Sequence, residues 1–331
     1  LDRGTPVRPP VVNGCRQPVR RTQACVLVTG CWKERNAVVS FLQYLINGIS
    51  IGSVYAIIAL GYTMVYGIAR MLNFAHGDVI MVGAYMSYCV TSYLGLPPAV
   101  GVLAAVIVCT LLGVLIEGLA YKPLRGVPSL AVLITAIGVS YFLQNAAQLI
   151  FGSAPKNFKS IVAIKPLVLF NGGLTITGEV IVTVAACIVI MIGLTMFTNR
   201  TKMGKSMRAV SEDRDAAQLM GINVNRTISV TFAIGSALAA VAGVLLCSTV
   251  PTLMPTTGSM PGIRAFTAAV FGGIGSIPGA MLGGILLGVI ETFSKAYLST
   301  QFSDAIVFLV LIVILLVKPA GLLGKNVQEK V

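Results

Sequence analysis

Runs of apolar residues about as long as a lipid bilayer is thick limit the fold of this chain more than any other feature. They lie near residues 41–66, 75–94, 99–121, 129–151, 179–198, 227–249, 263–297 and 303–317. A helix needs about 20 residues to cross roughly 30 Å of hydrocarbon. A β-barrel would instead show strands of about ten residues that alternate strictly between apolar and polar, and the stretch AVGVLAAVIVCTLLGVLI does not alternate. The piece at 263–297 is too long for one crossing, and GGIGSIPGA interrupts it. The expected fold is therefore all-α, a polytopic helical membrane protein with eight or nine transmembrane helices, some of them broken. With 56% hydrophobic and 11% charged residues, against about 25% charge in a soluble domain, a water-facing fold would expose large apolar patches.

Seven cysteines sit at 15, 25, 31, 89, 109, 187 and 247 without a CxxC pair or a Cys/His cluster. Four of them fall in the expected spans, where cysteine behaves as a small apolar residue. The net charge of +13 is spread over loops, which points away from nucleic acid and fits the excess of Lys and Arg in cytoplasmic loops. Arg70, Lys122 and Arg125, the group Arg200, Lys202, Lys205 and Arg208, and Lys318, Lys325 and Lys330 all face the cytosol if 263–297 crosses twice. The segment 152–178 then lies outside, a mild violation because it carries Lys156, Lys159 and Lys165. Residues 1–37 fit the scheme badly: seven basic and two acidic residues, three cysteines and the only Trp would lie outside, and the segment starts with Leu1. They read as an extension, disordered or an artefact of the gene model, with native translation starting near Val38 or Val39. The alternative is an unusual targeting segment, though it lacks an apolar core. Without them the charge falls to +8 (13 − 7 + 2).

The stretch NFAHGDVIMVGAY places Asn73, the only histidine (His76), Gly77 and Asp78 at the start of the second span. Asp is a favoured N-cap and complements the positive end of a helix dipole. Irregular backbone at membrane depth is tolerated only inside protein or beside a water-filled cavity. Two readings stand: Asp78 only caps while His76 sits at the headgroups, or the segment lines a transport route. Catalysis is disfavoured, because no second histidine, paired carboxylate or nucleophile elbow accompanies it, and one histidine cannot build a metal site. No metal or cofactor is expected.

Ser140, Gln144 and Gln148 form a polar stripe at helical spacing; such a stripe must face the bundle or a cavity, either for interhelical bonding or for a pathway. Glu117 reads as structural, near Lys122 and Arg125. Gly48 and Gly52, Gly275, Gly279 and Gly283, and Gly284 and Gly288 are spaced by four, which lets helix backbones approach in lipid. Pro278 breaks the segment that holds the run of three. GDVIMVGA and GIGSIPGA share Gly77/Gly273 and Gly83/Gly279, as an internal repeat of broken helices would. Together with Gly275, Ser276 and Pro278, the residues Asn73, His76, Gly77, Asp78, Ser140, Gln144 and Gln148 are the candidates for the pathway and its broken helices.

Charges concentrate in residues 199–226, NRTKMGKSMRAVSEDRDAAQLMGINVNR. Residues 206–220 read as one helix capped by Ser206 and ended by Gly221. Gly204-Lys205-Ser206 imitates the end of a phosphate-binding loop, but Asn199 stands where the first glycine belongs and no strand precedes it. The chain is not expected to bind ATP by itself.

The segment RAVSEDRDAAQLMGIN resembles the coupling loop of ABC importer permeases. LNFAHGDVIMVGAY, FGGIGSIPGAMLGG and VKPAGLLG, in this order, resemble the branched-chain amino acid permease family (LivH-like) over residues 39–326. Lys318 departs from the Arg expected before PAGLLG. The resemblance implies a permease domain at 38–326, a cytoplasmic tail at 327–331 and a place in the bacterial inner membrane. It implies ATPase subunits (LivG/LivF-like) that hydrolyse ATP in place of this chain, a second permease (LivM-like) and a periplasmic substrate-binding protein. It places contacts to the ATPase at Arg208, Glu212, Asp213, Arg214, Asp215, Ala216, Ala217 and Gly221, although a solvated face would explain the charges equally well. Leucine, isoleucine and valine are the implied substrates, with urea or short-chain amides as the alternative. An ion-coupled secondary transporter is the rival from another class; it should carry midspan carboxylates, and none is expected here.

Overall fold

Each long apolar run becomes a helix because lipid offers the backbone no partners, so every N–H and C=O must be satisfied within the segment. The computed structural model describes residues 22–324 except 163 and 170–173. In chain order the helices are α1 (Thr22–Ala69), α2 (His76–Tyr88), α3 (Pro98–Ile116), α4 (Ser129–Phe151), α5 (Gly178–Arg200), α6 (Lys202–Glu212), α7 (Arg214–Leu219), α8 (Val224–Thr249), α9 (Ser259–Gly272), α10 (Ile277–Tyr297) and α11 (Ser303–Val317). Two π-helical turns, Cys89–Tyr93 and Glu117–Tyr121, prolong α2 and α3. Six described helices are long and apolar enough to cross a membrane, and α11 is a shorter apolar one. With the broken segments α2 and α9 they make up the expected bundle of eight or nine. The backbone of 22–37 continues the first span as helix, while 1–21 and the expected tail at 327–331 lie outside the described residues.

α1 is the axis. Its stretch Val54–Leu60 is buried on every side, as a helix apolar all round should be. Gly52 meets the backbone of Ile285 and Gly48 meets that of Val289, where an added Cβ would lie 2.7–2.9 Å from main-chain atoms. Gly284 and Gly288 return the contact against Ala56 and Gly52. The two small-residue pairs thus pack on each other, the close approach that favours association where water supplies no drive. α8 offers a similar stripe: a Cβ on Gly83 of α2 would lie 2.8 Å from Ala240 Cα. The outward faces of α3, α4 and α5 are lined by exposed residues such as Leu111, Ile134 and Val189, the surface that lipid or another subunit covers.

Contacts gather the four basic regions at one end of the bundle, the cytosolic end of the expected topology. Arg70 bonds Ser211, Arg125 bonds Asn225, and Leu322 donates to the carbonyl of Phe271. At the other end β1 (Lys156–Asn157) pairs antiparallel with β4 (Thr252–Leu253), and β2 (Leu167–Leu169) pairs with β3 (Leu174–Ile176). Gln43 of α1 exchanges two hydrogen bonds of 3.0 Å with the backbone of Thr175 and fastens this cover.

The break at 263–297 arises differently from the expectation. Gly273 and Gly275 take φ of 98° and 92°, a region open to glycine, and make the turn. Pro278 lies in the first turn of α10, where its missing N–H costs nothing. The expected repeat is also not carried by the fold. Gly77 is the second residue of a helix, whereas Gly273 lies in the turn before α10.

Candidate functional site

The second span starts deep inside the protein. α1 ends at Ala69, and Arg70 turns the chain back with φ of 50°, the one non-glycine in the left-handed region among the described residues. Asn73 Oδ1 accepts a bond of 2.9 Å from Tyr121 Oη. His76, 1% exposed, lies against Gly61 and meets Tyr62 edge-on at 4.6 Å. Gly61 is eight residues before the end of α1, so α2 begins about 12 Å inward at 1.5 Å per residue. His76 is therefore not at the headgroups.

Asp78 does not cap. The helix begins two residues earlier, because the Asp78 N–H already donates to Ala75 O at 3.0 Å, and the Ala75 cap position has no side-chain bond. Its carboxylate sits in the first turn, where it still complements the dipole, and reaches across to α4. Gln144 Nε2 lies 2.9 Å from Asp78 Oδ1, 3.2 Å from Ser259 Oγ and 3.3 Å from Ser140 Oγ. One amide nitrogen has two hydrogens for these three oxygens, so it joins the elements without serving them all at once. Ser259 is the first residue of α9, and the start of α9 touches the start of α2: a Cβ on Gly77 would lie 2.7 Å from Gly258 O. Two helix N-termini, one running outward and one inward, meet at a polar junction inside the bundle.

The structure thus joins Asp78, Ser140 and Gln144, with Asn73, His76 and Gly77 on the approach. Gln148, one turn further along α4, is exposed and stands apart. Gly275, Ser276 and Pro278 lie at the far end of α9, about 21 Å away along 14 residues. There Ser276 caps α10 by accepting from the Gly279 N–H at 3.2 Å. Gly275 packs its Cα 3.3 Å from where a Cβ on Gly67 would be.

At the basic end of the bundle, two helices replace the single expected one. Thr201, in place of Ser206, caps α6, accepting from the Gly204 N–H at 3.0 Å, while Ser206 donates back to Lys202 O. Asp213 adopts extended backbone and accepts from the N–H groups of Asp215 and Ala216 at 2.9 and 3.0 Å, so it ends α6 and caps α7. Gly221, at φ of 80°, completes the ending: its N–H donates to Gln218 O and the Ile222 N–H to Ala217 O, the paired bonds that close a helix on a left-handed glycine. Arg208, Glu212, Asp213, Asp215, Ala216 and Gly221 are exposed, Arg214 is half-buried and Ala217 is buried.

Arg214 donates to Ala69 O and Arg70 to Ser211 O at 3.0 Å. Burial, then the nearby charges of Arg70 and Arg125, lowers the Arg214 pKa from its usual value, with Asp215 opposing. Arg125 also pairs with Glu117, whose second oxygen accepts from Ser229 Oγ at 2.6 Å. This fastens the end of α3 to α8.

Three features escaped the sequence reading. Leu219 and Met220 stand 89% and 84% exposed at the tip of α7, hidden in an apparently ordinary helix end. Ser259 gave no signal without its neighbours. Buried charges are also present where none was expected midspan. Glu291 of α10 is fully buried and accepts from Arg264 of α9 at 2.8 Å and from Lys295 at 2.5 Å. Arg264 also reaches Asp304 of α11 and Tyr55 of α1. An arginine within an apolar run is itself a signal and could have revealed the network.

Comparison with known proteins identifies the family. The family described as branched-chain amino acid transport system, permease component, matches residues 44–315. The high-affinity branched-chain amino acid transport system permease protein LivH of Salmonella typhimurium is 46% identical over 303 residues, covering 88% of this chain and 98% of that protein. BraD of Pseudomonas aeruginosa, described in the same terms, is 45% identical over 304 residues, with the same coverage of 88% and 98%. A probable branched-chain amino acid transport permease of Methanocaldococcus jannaschii is 30% identical over 284 residues, 81% of this chain and 88% of that one. A family match over residues 44–315 and relatives similar along most of their length place this chain in the family of branched-chain amino acid transport permeases.

Proposed function

We propose that this chain is the permease subunit of an ATP-driven importer in the bacterial inner membrane and passes leucine, isoleucine and valine delivered by a periplasmic binding protein. A second, related permease completes the pathway, and separate ATPase subunits dock on α6–α7. The observation that carries this reading is the tip of α7. Two large apolar side chains, Leu219 and Met220, project from a capped helix at the basic, cytosolic end. Lipid would not cover them there, and an exposed apolar pair within a charged rim fits a protein contact better than open water. Arg208, Glu212, Asp213 and Asp215 around them supply a charged rim.

Asp78, Gln144, Ser140 and Ser259 form the part of the pathway that has to open and close, since the junction of α2 and α9 is sealed by glycine contacts. A carboxylate and an amide suit a zwitterionic solute. Glu117 and Glu291 are each paired with cations, so among the described buried carboxylates ion coupling would have to use Asp78, which bonds the neutral Gln144 amide.

Changing Gly221 to Val forces a β-branched residue into left-handed backbone and displaces the tip. Leucine uptake is expected to be lost while membrane insertion persists. Uptake should also survive collapse of the proton gradient when ATP is supplied; the reverse result would favour the ion-coupled rival.

A further inference from the structure

Two arginines join the cytosolic segment to the first membrane helix: Arg70 bonds the end of α6 and Arg214 the end of α1. Arg70, one residue beyond α1, donates to Ser211 O at 3.0 Å in the last turn of α6. Arg214, two residues beyond α6, donates to Ala69 O, the last carbonyl of α1. The last carbonyls of a helix lack partners within it, and a cation there also meets the negative end of the dipole. Bonds from an ionised donor are stronger than neutral ones. The two like charges can be neighbours because each faces carbonyl oxygen.

The backbone adds a second reason. Arg70 holds a φ of 50°, unfavourable for a residue with a Cβ and usually kept only where surroundings enforce it. Five residues, 71–75, then lead to His76 at the start of α2. Midway along them Asn73 is fastened to Tyr121, so this stretch has little slack. The exit of the cytosolic segment is tied elsewhere, through Arg125 to Asn225 and Glu117. α6 also packs on α1, α5 and α8 and buries Met207 and Val210; beside that packing, the two arginines are the hydrogen-bonded link from α6–α7 to the end of α1, next to the start of α2.

We propose that Arg70 and Arg214 form a clasp that carries movement of the ATPase-docking segment to the buried junction of α2 with α9, which makes them positioning residues for transport. The proposal rests on the reading that α6–α7 docks the ATPase. Its test uses the complete complex in vesicles, with tritiated leucine uptake, ATP hydrolysis and retention of the ATPase subunits during purification measured together. Arg70→Gly accepts the left-handed backbone without strain and removes the whole side chain; Arg214→Ala removes the other guanidinium; Arg214→Lys keeps a cationic donor. In Arg70→Gly and Arg214→Ala, retention and hydrolysis should persist while leucine moved per ATP falls at least about tenfold. Arg214→Lys should recover part of the ratio. An unchanged ratio in both variants overturns the clasp, and so does loss of the ATPase subunits from the variants alone, which would assign the arginines to docking. If the unaltered complex retains no ATPase subunit, the docking reading fails first and the clasp with it.

Discussion

Glu291 and Arg264 show what a single charged residue requires inside this protein. Glu291 is held by two cations, and Arg264 by Glu291, Asp304 and Tyr55, so four helices share one network. Breaking a buried pair strands the other charge and costs about 3–5 kcal/mol. Arg264→Leu is expected to lower the thermal midpoint in detergent sharply, and the double change with Glu291→Leu should lower it less than Arg264→Leu alone. Asp78 offers a contrasting case. Asp78→Asn keeps an oxygen for Gln144 and should leave the thermal midpoint nearly unchanged. If the carboxylate meets the solute, uptake falls about tenfold or more, the worth of a bond to a charged group. Normal leucine uptake at an unchanged midpoint would remove Asp78 from the pathway.

At the scale of elements, the division of 202–219 into α6 and α7 is held by the Asp213 carboxylate together with the bond from Arg214 to Ala69. Nothing in the sequence between Lys202 and Leu219 forbids a continuous helix. Asp213 competes by bonding the N–H groups ahead of it, and the bond from Arg214 to Ala69 favours the kinked form. Asp213→Ala should loosen α7 by about 1 kcal/mol, seen as roughly fivefold faster amide exchange at residues 215 and 216. Packing of α1 on α10 is testable in the same way. Gly52→Ala places a methyl group 2.7 Å from Ile285 O and should destabilise the bundle, whereas Gly193→Ala in α5 meets nothing within 4 Å. The second change should be neutral or stabilise by about 0.5–1 kcal/mol, since alanine is the better helix former. Thermal midpoints of the two variants check both statements.

For the whole molecule, the distribution of lysine and arginine predicts the orientation. Lys205, at the end that gathers Arg70, Arg125 and Lys318, is exposed, as is Lys159 on the opposite side beside β1. Single cysteines placed at these two positions, in a background without the native ones, should react with an impermeant thiol reagent from opposite sides of the membrane. Labelling of Lys205→Cys from the periplasm would leave no surface for an ATPase and end the proposed mechanism.

The sequence alone determined the class of the protein and its spans, and it set the expectation that residues 199–226 lie in the cytosol. All of these follow from local rules: a backbone in lipid must bond to itself, and exposed cations stay inside. It also pointed to Asp78, Gln144 and Gly221, because polar residues and a helix-ending glycine are conspicuous in an apolar chain. The tertiary structure decided what those residues do. It moved Asp78 from cap to cross-helix partner, divided one expected helix in two, brought the starts of α2 and α9 together and paired Arg264 with Glu291. Each outcome is a contact between residues far apart in the chain, which no local pattern encodes.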